Sequence, residues 1–261
     1  MLARQPRSEA VSLDAETIPV AERLIVALDV PTVEKALTIV DELGDTVQFY
    51  KIGMQLQFAG GLQLAETLIK KYNKKVFLDS KLLDISQTIK GAVENIAKMG
   101  VSFLTIHGGS KNIQSAVEAS RGTNLKIFTI TVLTHLDAHD LKDLYGDIEI
   151  DVEGLVRRRA LQAVSAGADG VIASGQEAAM IREITGNALK IITPGIRPDG
   201  TEINDQVRVT TPQQAVLAGA DYLVVGRPIL NASDRPAAAR RILDEIAEAL
   251  NARRKLNRPA A

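Results

Sequence analysis

The chain has no cysteine and no tryptophan. The first absence excludes disulfides, thiolate metal sites and a cysteine nucleophile together, and it fits a reducing cytoplasm. Aromatic residues make up only 3% of the sequence, whereas Ala, Val, Ile, Leu, Met, Phe, Trp, Tyr and Cys together make up 46%, so the core must be built chiefly from Val, Ile, Leu and Ala. That composition suits parallel strands buried on both faces. No run approaches the roughly 20 apolar residues of a membrane span, and the N-terminal MLARQPRSEAVSLDAETIPVAER lacks the apolar centre of a signal peptide. Neither sign of charge prevails, since 31 basic side chains stand against 32 acidic ones. This balance carries no electrostatic footprint for nucleic acid or a membrane surface, so an anionic ligand must be held by a few local cations.

At 261 residues the chain is long enough for one large domain, because barrels often run to about 250 residues as a unit. Apolar runs recur at 23–28 (RLIVAL), 47–52, 76–79, 101–106 (VSFLTI), 125–133 (LKIFTITVL), 168–174 (ADGVIAS), 188–194 (ALKIITP) and 220–226 (ADYLVVG). Helical spacing follows each, as at 33–43, 62–71, 85–99 and 152–166. Eight strands, each followed by a helix, predict an α/β fold, a single-domain (β/α)8 TIM barrel closed by right-handed crossovers. An open doubly wound sheet is the alternative. Its G-x-G-x-x-G fingerprint is missing after the first strand, where the sequence reads ALDVPT. The expected organisation is a polar extension over 1–22, in which SLDAE is able to cap a short helix, the barrel over 23–250 and a polar tail over 251–261.

In a barrel the active site is built from the C-terminal strand ends. Those ends supply Asp29, Lys51, Asp79 with Lys81, His107, Thr134, Ser174, Arg197 and Gly226 with Arg227. The densest stretch is VFLDSKLLDISQT at 76–88, which places Asp79, Lys81 and Asp84 within six positions. Residues two apart on a strand share a face, so Asp79 and Lys81 are expected to point the same way. The plain alternative is a solvated salt-bridge edge. Two lysines and three carboxylates converging on one mouth favour an electrostatic tool, each charge holding its neighbour ionised.

A second constellation is PGIRPDGTEINDQVR at 194–208 with VVGRP at 224–228. Loops after the seventh and eighth barrel strands commonly bind phosphate, and Arg197, Arg227 and Gly226 offer fixed charge and close backbone approach. The competing reading makes the glycines simple turn formers and pairs Arg197 with Asp199. The long polar loop between these blocks is able to close as a lid. Other chemistries fit less well. His107, His135 and His139 form no zinc-type ligand pair, and neither G-x-S-x-G nor G-x-x-x-x-G-K-[ST] occurs. A Mg²⁺ site from Asp29, Asp79 and Asp84 is conceivable by residue type, but Lys51 and Lys81 would already neutralise those carboxylates.

The blocks ALDV (27–30), KIG (51–53), DSKLLDISQT (79–88), TVLT (131–134), PGIRPDGTEINDQVRVTTPQQA (194–215) and VVGRPI (224–229) resemble the orotidine 5'-phosphate decarboxylase family, in order and spacing, from about residue 23 to 245. The resemblance implies cofactor-free decarboxylation of orotidine 5'-phosphate to UMP by a homodimer. It makes Lys81 the catalytic lysine, completed by Lys51, Asp79 and Asp84, with Asp84 reaching the neighbouring subunit's site. It further implies that Asp29 contacts the ribose and Thr134 the pyrimidine, that Thr88 joins the substrate contacts, and that Arg197, Gln206, Gly226 and Arg227 hold the phosphate. Ser80, Leu83, Ser86 and His135 depart from the family's usual residues. A Mg²⁺-dependent 3-keto-L-gulonate 6-phosphate decarboxylase shares the D-x-K-x-x-D signature and is the nearest rival. A non-catalytic barrel that binds a phosphorylated metabolite is the rival from another class.

Overall fold

Eight short strands, β1 (Leu24–Ala27), β2 (Phe49–Gly53), β3 (Lys75–Leu82), β4 (Phe103–Ile106), β5 (Lys126–Ile130), β6 (Gly170–Ile172), β7 (Lys190–Thr193) and β8 (Tyr222–Val225), pair in parallel in sequence order. The barrel closes where β8 returns to β1, with Leu24 opposite Leu223 and Val26 opposite Val225. This computed structural model describes residues 18–134, 136–146, 151–199 and 209–256. The expected (β/α)8 barrel is the observed fold, and every predicted strand lies within three residues of an observed one at its start.

Helices fill the crossovers, and their ends follow from local chemistry. Thr32 caps the helix Val33–Leu43 by accepting from the Lys35 N–H, and Asp151 caps Val152–Ala166 through the Gly154 N–H. Thr211 and Gln214 form a reciprocal capping box around Pro212–Ala218, which Gly219 ends in the left-handed conformation at φ 115°. The helix Val20–Arg23 crosses the boundary expected at residue 22, and the last helix, Arg235–Leu256, runs through the one expected at 250. Both shifts have one cause. The buried Arg23 ties the first helix to the Asp221 carbonyl, while Ile242, Ile246, Ala249 and Leu250 bury one face of the last helix on the barrel. The SLDAE motif lies outside the described residues. Among the described residues, no helix is long and apolar enough to cross a membrane.

Strand alternation sorts the side chains into layers. Leu24, Val26, Tyr50, Ile52, Val76, Leu78, Leu104 and Ile127 face outward into the helix layer. Ile25, Phe49, Phe77, Phe103, Phe128, Ile192 and Tyr222 face inward. Thus four of the five phenylalanines fill the barrel interior. Phe103 is their hub, with ring centroids 4.8 Å from Phe49, 4.7 Å from Phe128 and 5.1 Å from Tyr222. This aromatic floor makes the interior solid below the mouth.

Candidate active site

Two residues beyond the aromatic floor the inward positions turn polar. Phe49 is followed by Lys51, Phe77 by Asp79 and Phe103 by Thr105, each advancing one inward step along its strand. Register then aligns them, since Ala27 lies opposite Lys51 and Gly53 opposite Asp79. Lys51 Nζ meets Asp29 Oδ1 at 3.1 Å and Asp79 Oδ2 at 3.5 Å, while Lys81 Nζ meets Asp79 Oδ1 at 2.8 Å. The result is an alternating chain of four charges across β1, β2 and β3. Gly53 makes room for it, because a Cβ there would lie 3.0 Å from Asp29 Oδ1 and 3.1 Å from Lys51 Nζ.

Asp79 and Lys81 meet, but not by the two-residue alternation expected of them. The β3–β4 register jumps from Leu78 opposite Leu104 to Leu82 opposite Ile106, so β3 carries two extra residues across the bulge. Lys81 sits inside that bulge at φ 51°, in the left-handed region, and its backbone N–H donates to Thr105 Oγ1 at 2.9 Å. Thr105 Oγ1 in turn donates to Asp79 Oδ1 at 3.0 Å. Sequence reasoning missed Thr105. The one available signal was its position two residues beyond Phe103, where alternation turns a hydroxyl inward.

Burial and charge oppose one another here, and charge prevails. Burial alone would lower the Lys51 ammonium, but Asp79 and then Asp29 hold it above the ordinary lysine range. Burial alone would raise the Asp79 carboxyl, yet Lys51 and Lys81, with hydrogen bonds from Lys81 and Thr105, hold it below the ordinary carboxylate range. Lys51 and Asp79 therefore stay ionised at neutral pH. His107 is lowered by burial and then by Arg159 and Lys81, which keeps it neutral. Ser174 is fully buried and its backbone N–H donates to Glu177, so it serves its own turn.

The charged chain opens into a cleft of about 630 Å³ at the C-terminal mouth. Its wall brings together Asp29, Lys51, Asp79, Lys81, Thr134, Arg197, Gly226 and Arg227. Apolar Phe77, Ile130, Ile172 and Val224 form part of the same wall, which suits a flat organic ring over a dry floor. Arg197 is buried, and its backbone N–H donates to Thr210 O at 2.9 Å, which pins Arg197 beside Thr210. Gly226 lies beside Asp29, since a Cβ there would come within 3.8 Å of Asp29 Oδ2. Asp29 therefore stands between the charged chain and the two arginines.

Among the described residues, two of the predicted site residues are not in this wall. Asp84 and Thr88 are exposed beyond the end of β3, where Asp84 Oδ1 accepts from the Ile85 N–H at 2.6 Å. Gln206 lies outside the described residues, as does His135. Among the described residues, no group of three or more His, Asp or Glu is placed to hold a metal ion. A second cavity, of about 510 Å³, lies along the helix Leu62–Lys70 on the barrel's outer wall, where Leu62, Glu66, Lys70 and Met99 provide no convergent charge. The mouth is the candidate site.

Comparisons with known proteins agree with this geometry. A family model described as "Orotidine 5'-phosphate decarboxylase / HUMPS family" matches residues 22–242. An orotidine 5'-phosphate decarboxylase of Afipia carboxidovorans is 53% identical over 228 residues, covering 87% of this chain and 96% of that protein. Among solved structures, the orotidine 5'-phosphate decarboxylase of Lactobacillus acidophilus superposes with a TM-score of 0.75 at 34% identity, covering 86% of this chain and 99% of that one. An uncharacterised conserved protein of Geobacillus kaustophilus gives 0.74 at 28% identity, covering 85% and 99%.

Proposed function

The chain belongs to the orotidine 5'-phosphate decarboxylase / HUMPS family and is a decarboxylase of that family, and from that premise we propose that it converts orotidine 5'-phosphate to UMP in pyrimidine biosynthesis without a cofactor. One observation carries the reading. The Lys51–Asp79–Lys81 chain opens into the same cleft as Arg197 and Arg227.

In this reading Arg197, Arg227 and Gly226 bind the phosphate, with Gln206 joining them. Asp29 takes the ribose, and Thr134 the pyrimidine. The bond from C6 to the carboxylate breaks, CO₂ leaves, and the electron pair stays at C6. The fixed Lys81 ammonium stabilises that charge as it develops and then delivers a proton to C6. Asp79, held ionised by Lys51 and Lys81, faces the departing carboxylate. Two such charges about 4 Å apart repel by about 4 kcal/mol at an effective dielectric near 20. That repulsion is subordinate to Lys81, since ground-state strain contributes to rate only as far as the transition state relieves it. Phosphate binding far from C6 supplies binding energy for closing the site.

Asp84 acts in trans across a homodimer, and Thr88 joins the substrate contacts. The exposure of Asp84 outside this subunit's own cleft supports that placement, as do the exposed apolar side chains of Leu83 and Ile85 on either side of it and of Phe58. Phe58 is 88% exposed, Leu83 64% and Ile85 71%. The Ser80 hydroxyl donates to Gln57 Oε1 at 2.9 Å, which ties the Phe58 segment to the end of β3.

The direct test is absorbance loss on adding orotidine 5'-phosphate in excess chelator. Full turnover is expected, and complete loss under chelation would overturn the cofactor-free reading. Mixing inactive Lys81→Ala and Asp84→Ala proteins under subunit exchange is expected to restore part of the activity, because one shared site then carries neither change. No recovery despite proven exchange would reject the trans placement.

A further inference from the structure

The roles assigned above leave Thr105 unused, although it touches both members of the central ion pair. It is fully buried on β4 and is not part of the cleft wall, so it does not meet a ligand there. Its single hydroxyl makes two bonds whose directions are set by the partners. The Lys81 backbone N–H only donates, at 2.9 Å, and the ionised Asp79 carboxylate only accepts, at 3.0 Å. The hydroxyl proton therefore points to Asp79 and its lone pair to Lys81.

These two bonds grip the segment of β3 whose register with β4 is broken. Between Leu78 and Leu82 the register with β4 is broken, and Lys81 takes a left-handed conformation that residues with a side chain rarely adopt. Such a conformation persists only where its surroundings over-determine it. Thr105 ties the backbone of Lys81 to β4. At the other end of the same lysine, Asp79 Oδ1 receives both Lys81 Nζ, at 2.8 Å, and the Thr105 hydroxyl.

We propose that Thr105 is a positioning residue for decarboxylation, whose hydroxyl locks the left-handed turn at Lys81 and the rotamer of Asp79 so that the ammonium is aimed before substrate arrives. The proposal rests on the reading of Lys81 as the group beside C6. A preorganised charge acts without reorganising during the reaction, and a displacement of about 1 Å by a distant change costs on the order of 10²-fold in rate. Thr105 therefore acts on the chemical step and not on substrate capture, which the arginines at the other side of the mouth perform.

The test compares Thr105→Val, which keeps the volume and branching but removes the hydroxyl, with Thr105→Ser, which keeps the hydroxyl. Steady-state kinetics with orotidine 5'-phosphate and UMP affinity are measured on the full chain, with thermal melting to normalise to folded protein. Thr105→Val is expected to lower kcat by roughly 10²-fold while KM and UMP affinity stay within about threefold, and Thr105→Ser is expected to keep kcat within about threefold of the parent. Unchanged kcat in Thr105→Val would overturn the inference. So would a loss confined to KM, or an equal loss in Thr105→Ser. If Thr105→Val does not fold, Thr105→Ala per UMP-binding site replaces it, with the same outcomes. An inactive parent enzyme would overturn the proposed function and this inference with it, whereas an active parent with an equally active Thr105→Val overturns this inference alone.

Discussion

At the N-terminal end of the barrel, Arg182 donates to Asp221 Oδ2 at 2.8 Å and to the carbonyls of Gly186, Leu189 and Gly219. Arg23 adds bonds to the Asp221 and Ile18 carbonyls, and the Ile191 N–H donates to Asp221 Oδ2. At the C-terminal end, Lys51, Asp79 and Lys81 form an ion chain of similar closeness. The two ends differ in what surrounds the charges. At the base, the terminal guanidinium nitrogens of Arg182 bond backbone carbonyls and the ion pair stitches helix to strand. At the mouth, Lys81 Nζ has three donors and, among the described residues, pairs with Asp79 alone. Its charge faces a cleft. Ion pairs thus serve cohesion at one end and, on the proposed function, reactivity at the other, as the two faces of such barrels are generally divided.

The sharpest way to break this comparison is at the mouth. Lys81→Ala is expected to lower kcat by at least about 10³-fold, in line with removing a preorganised group aimed at developing charge. UMP binding should persist, and the melting temperature should change little, because Lys81 is partly exposed. Retained decarboxylation would remove Lys81 from its role. At the base the expectation reverses. Asp221→Ala should cost about 3 kcal/mol of folding stability by leaving the Arg182 guanidinium without its carboxylate and the Ile191 N–H without its acceptor. Denaturant unfolding measures that loss, while kcat per folded molecule stays at the parent value. A fall in kcat with unchanged stability would erase the distinction between the ends.

A smaller effect concerns pH. Asp79 is held below its ordinary value, so its contribution to stability is present above about pH 4 and fades as pH falls through the lowered value. Lys51 is held above its ordinary value, so its contribution is present below about pH 10 and fades as pH rises through the raised value. Asp79→Asn should therefore lower stability at neutral pH and flatten its acid limb, as followed by urea midpoints between about pH 3 and pH 7. An unaltered acid limb would assign the acid sensitivity to other carboxylates.

Most of the fold was legible because its signals are local. Parallel strands buried on both faces read as short apolar runs, and each is separated from the next by helical spacing with caps such as Thr32 and Asp151. Most of the mouth was legible too, since a polar residue after an apolar run marks a strand end. Two features were not. The bulge at Lys81 depends on a mismatch between β3 and β4, which neither strand's own pattern contains. Thr105 looked like any β-branched strand residue until closure turned its hydroxyl toward Asp79.

Sequence by itself determined the strand count, the inward or outward sense of each strand residue, and the residue types waiting at the mouth, because these depend on neighbours along the chain. Tertiary structure decided which of them touch. Lys51 and Asp29 are 22 positions apart, and Thr105 and Asp79 are 26 apart, yet each pair meets within 3.1 Å. Only the closed barrel's register sets those meetings, because interactions between ions and hydrogen-bonding groups depend on distance through space and not along the chain.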